Sequence, residues 1–263
     1  MRQLFLSLLL SVYSILPAQA LELRVALGVS ALQLKSINEG RGSAEQGLNA
    51  VSVELAREIC RRLSARCKFD YLLFGEMLPA MQAKRYEIGV GNFLRTPERE
   101  LIVNFSDSIA TSSSRLLASP ERAAAFVAKT GSLTVSGLRD ARVIALAGSV
   151  QAQYLKRVAA EQRLHVLSVA STTEILPLLR NGDADFWLTP VYLAYAVTAA
   201  EPPGSYQFYG PPEVANGLGG TVHIALTKDD AALTSLVNNA LAQIRADGTY
   251  HRLVRHYYPV SLD

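Results

Sequence analysis

Short apolar runs alternate twice with stretches of helical period in this chain, and that alternation confines it to the α/β class with largely parallel sheet. The first series predicts a strand over residues 23–29, an amphipathic helix over 51–63 and a strand over 68–74. A helix over 76–84, with Pro79 in its first turn, and a strand over 86–90 complete it. Residues 37–49 read as a polar, Gly-bearing loop of the sort that lines or covers sites. A second series begins after Ser119 and Pro120: a strand over 142–147, a Gly148-Ser149 turn, a helix over 150–162 and a strand over 165–170. Ser171-Thr172-Thr173-Glu174 is a capping box opening a helix that ends at Asn181-Gly182. A strand over 185–188 and a helix over 191–199 follow, broken by Glu201-Pro202-Pro203-Gly204. The last elements are a strand over 222–227, a long helix over 231–245 and a short one over 249–258.

The second series interrupts the first, which implies two crossing strands, near 112–118 and 205–209. The 263 residues, 49% of them hydrophobic, can bury a substantial core as one large domain or two lobes. The insertion divides them into a first lobe of residues 21–115 and 208–263 and a second of 116–207, joined by a hinge.

The first twenty residues have a basic start at Arg2, an apolar run over 4–10 and the small-residue sequence Ala18-Gln19-Ala20. This predicts a secretory signal peptide cleaved after Ala20; the apolar stretch is short for a membrane anchor. Without Arg2 the 26 basic and 23 acidic side chains become 25 and 23, and the formal charge falls from +3 to +2. Such a balance gives no argument for nucleic acid. Export places Cys60 and Cys67 in an oxidising compartment. Seven residues along one straight helix span about 10.5 Å, too far for a disulfide. A Cys60–Cys67 bond therefore requires the helix to end near Leu63 and Ser64, with Cys67 opening the next strand. The alternatives are two free thiols or a zinc site, and no neighbouring Cys or His supplies the rest of a zinc shell.

The chemistry concentrates in two places. In Arg95-Thr96-Pro97-Glu98-Arg99, Thr96 is an N-cap and Pro97 the first helical residue, so free N–H groups and a positive helix end meet the Arg99 guanidinium, a fork suited to a carboxylate. On this segment alone an exposed Arg99 paired with Glu98 or Glu100 reads equally well. Gly148-Ser149, between a strand and a helix, forms an anion cradle or, for Ser149, an ordinary N-cap.

Four stretches together resemble the solute-binding proteins of family 3, which deliver polar amino acids to ATP-binding-cassette importers. They are residues 50–60, Ala-Val-Ser-Val-Glu-Leu-Ala-Arg-Glu-Ile-Cys; the Cys60 and Cys67 spacing; Arg95 to Arg99 followed by Asn104-Phe105-Ser106-Asp107; and the closing segments at 226–230, 237–241 and 245–250. The resemblance spans essentially the whole mature chain and leans towards the lysine/arginine/ornithine- and histidine-binding group. It implies a type II periplasmic binding fold of two α/β lobes on two crossing hinge strands, and a periplasmic monomer. Its partners would be a small carboxylate ligand and an inner-membrane ABC permease, with no cofactor, metal or catalytic residue. Arg99 falls on the family's carboxylate-binding Arg, and Ser149 and Val150 fall on the helix start that holds the same carboxylate.

The same alignment shows a divergent pocket. No acidic residue occurs from Phe186 to Ala200, where the family's ammonium-binding Asp would fall at Pro190, Leu188 or Thr189. The stacking aromatic is replaced by Ala31, with Leu32 and Gln33 as other alignments, and an early acid by Gly28. Gly91, Asn92 and Leu94 stand where Ser or Thr would. The expected ligand-binding set is therefore Arg99, Ser149, Val150, Asn92, Leu94 and Phe93, with Trp187 read as core. Two other readings stay open. One is an enzyme like the periplasmic cyclohexadienyl dehydratases, with Glu76, Glu213 or His223 as general acid; the other is a sensing or accessory protein that binds a periplasmic partner.

Overall fold

The computed structural model describes residues 21–29, 31–40, 50–131 and 133–257. The expected signal peptide, residues 41–49 of the expected loop and Tyr258 lie outside the described residues.

From the N-terminus the elements are β1 (Glu22–Val29), α1 (Ala31–Asn38), α2 (Ala50–Arg62), β2 (Arg66–Leu73), α3 (Phe74–Gln82), β3 (Ile88–Leu94), α4 (Pro97–Glu100), β4 (Val103–Phe105) and β5 (Ala110–Ser112). They continue as β6 (Ser114–Ala118), α5 (Pro120–Thr130), β7 (Arg142–Leu146), α6 (Val150–Gln162), β8 (His165–Val169), α7 (Ile175–Arg180), β9 (Phe186–Pro190), α8 (Val191–Thr198) and β10 (Gln207–Glu213). The last are β11 (Gly220–Thr227), α9 (Ala231–Ala246) and α10 (Thr249–Tyr257).

The strands form two sheets of matching plan. The first runs β2-β1-β3-β11-β4, with β5 also paired to β11; the second runs β10-β6-β9-β7-β8. In each, three strands are parallel, β2-β1-β3 and β8-β7-β9, and an antiparallel strand, β11 or β6, lies beyond the third. Both faces of each sheet are covered. Val25, Ile88 and Ile224 pack under α2 and α9, while Met77, Met81 and Phe93 fill the opposite side. In the second sheet Val143, Phe186 and Leu155 form one face and Ile144, Trp187 and Ile175 the other. Coverage on both sides is why these strands read as continuous apolar runs.

Local chemistry sets the boundaries. Ser64, at φ 49°, turns the chain after α2, and Cys60 and Cys67 are disulfide-bonded with their Cα atoms 6.2 Å apart. At α5 the Ser119 hydroxyl accepts from the Arg122 N–H, Pro120 occupies the first turn and Gly131 closes the helix in the left-handed region. The Asp230 carboxylate accepts from the Leu233 N–H and opens α9. Three expectations shift. Phe74 begins α3 instead of ending β2, β3 runs to Leu94 instead of stopping at 90, and residues 37 and 38, the expected start of the loop, end helix α1.

The first crossing is the step from β5 to β6, within the expected 112–118. The second falls later than 205–209: Gln207–Glu213 pairs antiparallel with β6, and the chain re-enters the first sheet only at β11. The extra residues belong to the second sheet because Phe208 and Tyr209 lie opposite Leu117 and Leu116. The two crossings are tied together, since Ser114 Oγ donates to the Leu218 carbonyl and Gly220 pairs with Ser112.

Candidate functional site

The carboxyl ends of β1, β3, β7 and β9 converge on one cleft, the place where open α/β sheets bind ligands. Its walls come from both sheets: Val29, Phe74, Asn92, Leu94 and Arg99 from the first, and Leu146, Ser149, Val150, Gln151, Trp187, Thr189, Pro190 and Tyr192 from the second. With its open mouth the cleft encloses about 870 Å³ of empty space. Helix α1 lies beside the 3₁₀ turn at Thr172–Glu174, whose first residue lines the cleft.

Arg99 is the only Lys, Arg, Asp or Glu among the described residues lining the cleft. Thr96 accepts from its backbone N–H and fixes it at the start of α4. Only 4% of Arg99 is exposed. Nη1 donates to the Leu94 carbonyl (2.8 Å), and Nη2 reaches across to the Gly148 carbonyl of the other sheet (3.1 Å). Nε is buried without a hydrogen-bond partner. The guanidinium lies 5.7 Å from the Phe93 ring centroid, a cation–π distance. Burial, opposed weakly by Tyr192 and Glu98, lowers its pKa to about 10. A buried cation with an unpaired N–H and no facing carboxylate is an incomplete ion pair, and an anion in the cleft would complete it.

Opposite stands the start of α6. The Ser149 hydroxyl accepts from the Ala152 N–H (3.1 Å), so it acts as the N-cap. Val150 and Gln151 are the first two helical residues, whose N–H groups have no intrahelical partner. Gly148, at φ 76°, packs against α3 so closely that a Cβ there would stand 2.7 Å from the Gly75 Cα. The two glycines let the sheets' edges meet. Gln151 Nε2 donates to Ser114 Oγ (2.7 Å), which links the cleft wall to the hydroxyl that joins the two crossings.

Asn92 stands in the left-handed region, at φ 55°, within β3, where the pairing with β11 slips between His223 and Ala225. This bulge turns Asn92 into the cleft, with Nδ2 3.4 Å from Ser52 Oγ.

Of the six expected binding residues, Arg99, Ser149, Val150, Asn92 and Leu94 line the cleft and Phe93 does not. Phe93 points to the other face of β3, fully buried beneath Arg99 and stacked on Phe74 at 5.2 Å. The period-two alternation that brings Asn92 and Leu94 inward turns Phe93 away. Phe74, which sequence reasoning left in a strand, supplies the aromatic wall instead, and Trp187 both packs the core and borders the cleft. Thr189 and Pro190, two of the positions the alignment offered for the family's ammonium-binding residue, line the cleft, and so does Leu193, for which the signal available was its place just beyond the end of a parallel strand. None of Glu76, Glu213 and His223 lines the cleft, and both ring nitrogens of His223 are engaged, by the Ser106 carbonyl and Thr221 Oγ1. Asp185 ion-pairs with Arg142 (2.8 Å) at the start of β9.

The family model of bacterial extracellular solute-binding proteins, family 3, matches residues 43–260. The histidine-binding periplasmic protein of Salmonella typhimurium is 27% identical over 220 residues, covering 82% of this chain and 81% of that protein. The ABC transporter arginine-binding protein 1 of Escherichia coli is 27% identical over 268 residues, covering 98% and 100%. Among solved structures, an ancestral arginine-binding protein bound to arginine superposes with TM-score 0.70 at 22% identity, covering 90% of this chain and 98% of its own. A mutant of the arginine-binding protein of T. maritima gives 0.74 at 20%, covering 91% and 96%.

Proposed function

The chain belongs to the bacterial extracellular solute-binding proteins of family 3, and from that premise we propose that it captures a small carboxylate-bearing solute in the periplasm and presents it to an ABC importer. The observation that carries this reading is Arg99, 4% exposed, unpaired at Nε and alone in its charge among the described lining residues. The Arg99 fork takes the carboxylate from one side and the N–H groups at the start of α6 take it from the other. The carboxylate then holds both sheets at once, so binding favours closure about the crossings between β5 and β6 and between β10 and β11. Two lobes that move as units on those crossings are part of the proposal, as are the cleaved signal peptide and a monomeric state.

The dehydratase-like reading needs an acid in the cleft, and no described lining residue supplies one. One solved neighbour, the ancestral amino-acid-binding protein AncCDT-1, a precursor of cyclohexadienyl dehydratase, superposes with TM-score 0.70 at 20% identity and so speaks for the fold alone.

The test is a thermal-shift screen of the mature protein against amino acids, carboxylic acids and the corresponding amides. A ligand at a hundredfold over its dissociation constant adds about 2.7 kcal/mol, a shift readily seen. Stabilisation by carboxylates and not by their amides is expected. Stabilisation by amides alone, or by none of the panel, counts against the proposed function.

A further inference from the structure

Building on the carboxylate reading, we propose that the solute carries no ammonium or other cation: it is a monocarboxylic acid, held at Arg99, whose apolar tail passes Asn92 and Tyr192 into a second pocket behind them.

The charge inventory of the cleft comes first. Arg99 already places one cation there, and no described lining residue is Asp or Glu. Three acids that flank cleft-lining residues in the chain, Glu76, Glu98 and Glu174, are exposed. Glu76 accepts from the Leu73 N–H at the start of α3, and Glu174 accepts from the Ser171 N–H in its capping box. Glu98 is held by its own backbone N–H and by Thr96. An ammonium drawn into this cleft would lose water, gain no counter-charge and face a buried guanidinium. The neutral groups present, Asn92, Thr189 and Tyr192, can serve a hydroxyl or a keto oxygen.

The second observation is where the cleft continues. Asn92 and Tyr192 line both the main cleft and an adjoining pocket that, with its open mouth, encloses about 460 Å³ of empty space and is walled by Val51, Leu55, Ile109 and Val222 with Ser52 and Thr111. Tyr250 closes it, and its hydroxyl donates to the Ile109 carbonyl. No Asp, Glu, Lys or Arg lines this pocket among the described residues. The cationic side chains of arginine, lysine or histidine would therefore meet no acid among the described residues at either end. An aliphatic or aromatic tail passes the polar neck at Asn92 and Ser52 and finds apolar surface beyond it at Val51, Leu55, Ile109 and Val222.

Calorimetric titration of paired probes decides it: 3-phenylpropanoate against phenylalanine, 4-methylpentanoate against leucine, with arginine, histidine and the amides of both acids beside them. The acids are expected to bind, the matching amino acids on the order of a hundredfold more weakly. Pro190→Asp, which adds a carboxylate to the cleft wall, is expected to recover about tenfold or more of that loss for the amino acids. Amino acids that bind the native protein as tightly as their deaminated partners overturn this inference and leave the carboxylate site standing. Amides that bind as well as the acids, or silence from every probe, overturn the carboxylate site and this inference with it. Val51→Phe tests the second pocket. Octanoate is expected to weaken roughly tenfold or more while butanoate keeps its affinity, which also reports a sound fold. Equal loss for both, or none for either, removes that pocket from the site.

Discussion

At the scale of single residues, Arg99 combines a stability cost with a binding role. Its burial lowers the pKa to about 10, so the folded protein holds the charged form less easily than water does. A bound carboxylate favours the charged form and raises that pKa again; binding therefore takes up a proton once the pH exceeds about 10. Affinity should be flat from about pH 5 to 9, fall as the pH rises through 10, and fall again below about 4 as the ligand's carboxylate is protonated. Titrations across that range check both limbs; an affinity that rises above pH 10 has the wrong sign. Arg99 was legible in the sequence because Thr96 and Pro97 mark a helix start whichever fold surrounds it. Phe93 was misplaced for a related reason. Alternation along β3 shows which residues share a face, but only the bulge at Asn92 decides which face meets the cleft.

At the scale of elements, the contact between the α3 and α6 starts governs how closely the sheets approach. Gly148 is required twice, by its φ of 76° and by the Gly75 Cα that a Cβ would strike at 2.7 Å. Gly148→Ala should weaken ligand binding about tenfold or more and leave the ligand-free protein larger by small-angle scattering; native affinity in this variant would show that the contact plays no part in closure. The Cys60–Cys67 bond works on a different quantity. It closes a loop of seven residues' separation, for which chain entropy gives about 2.5 kcal/mol. Reduction, or Cys60→Ser with Cys67→Ser, should lower the unfolding free energy in urea by about that amount without changing affinity, because the bond sits at the C-terminal end of α2 and neither cysteine lines the cleft or the adjoining pocket. A change in affinity with unchanged stability would reverse this assignment. The disulfide could be anticipated from an oxidising compartment, and the end of α2 then follows from the spacing of Cys60 and Cys67. Helix α5 could not, although Ser119 and Pro120 are its N-cap and first residue, because they were read as a boundary; nor could α1, whose short run lacks strong periodicity.

At the scale of the whole molecule, two sheets of one plan meet across a cleft, and the crossings between them form a single hydrogen-bonded unit. Gln151, Ser114 and Leu218 connect the cleft wall to both crossings. The doubled α/β pattern and its insertion were visible in the sequence because strands covered on both faces stay apolar throughout. The exact return at β10 was not, since the Pro-Pro at 211–212 obscures a strand that antiparallel pairing with β6 supplies. The cleft's chemistry was legible in what it lacks: the acid-free stretch from Phe186 to Ala200 folds into β9 and α8, whose start forms a wall with no carboxylate. The account rests on one cation in that setting. Calorimetry of the native protein and of Arg99→Ala, with the acid that stabilises the native protein most, tests it directly. The account expects affinity to fall about a hundredfold or more while the melting temperature of the ligand-free variant is unchanged or higher, a buried unpaired charge having been removed. Equal affinity in the two proteins would contradict it.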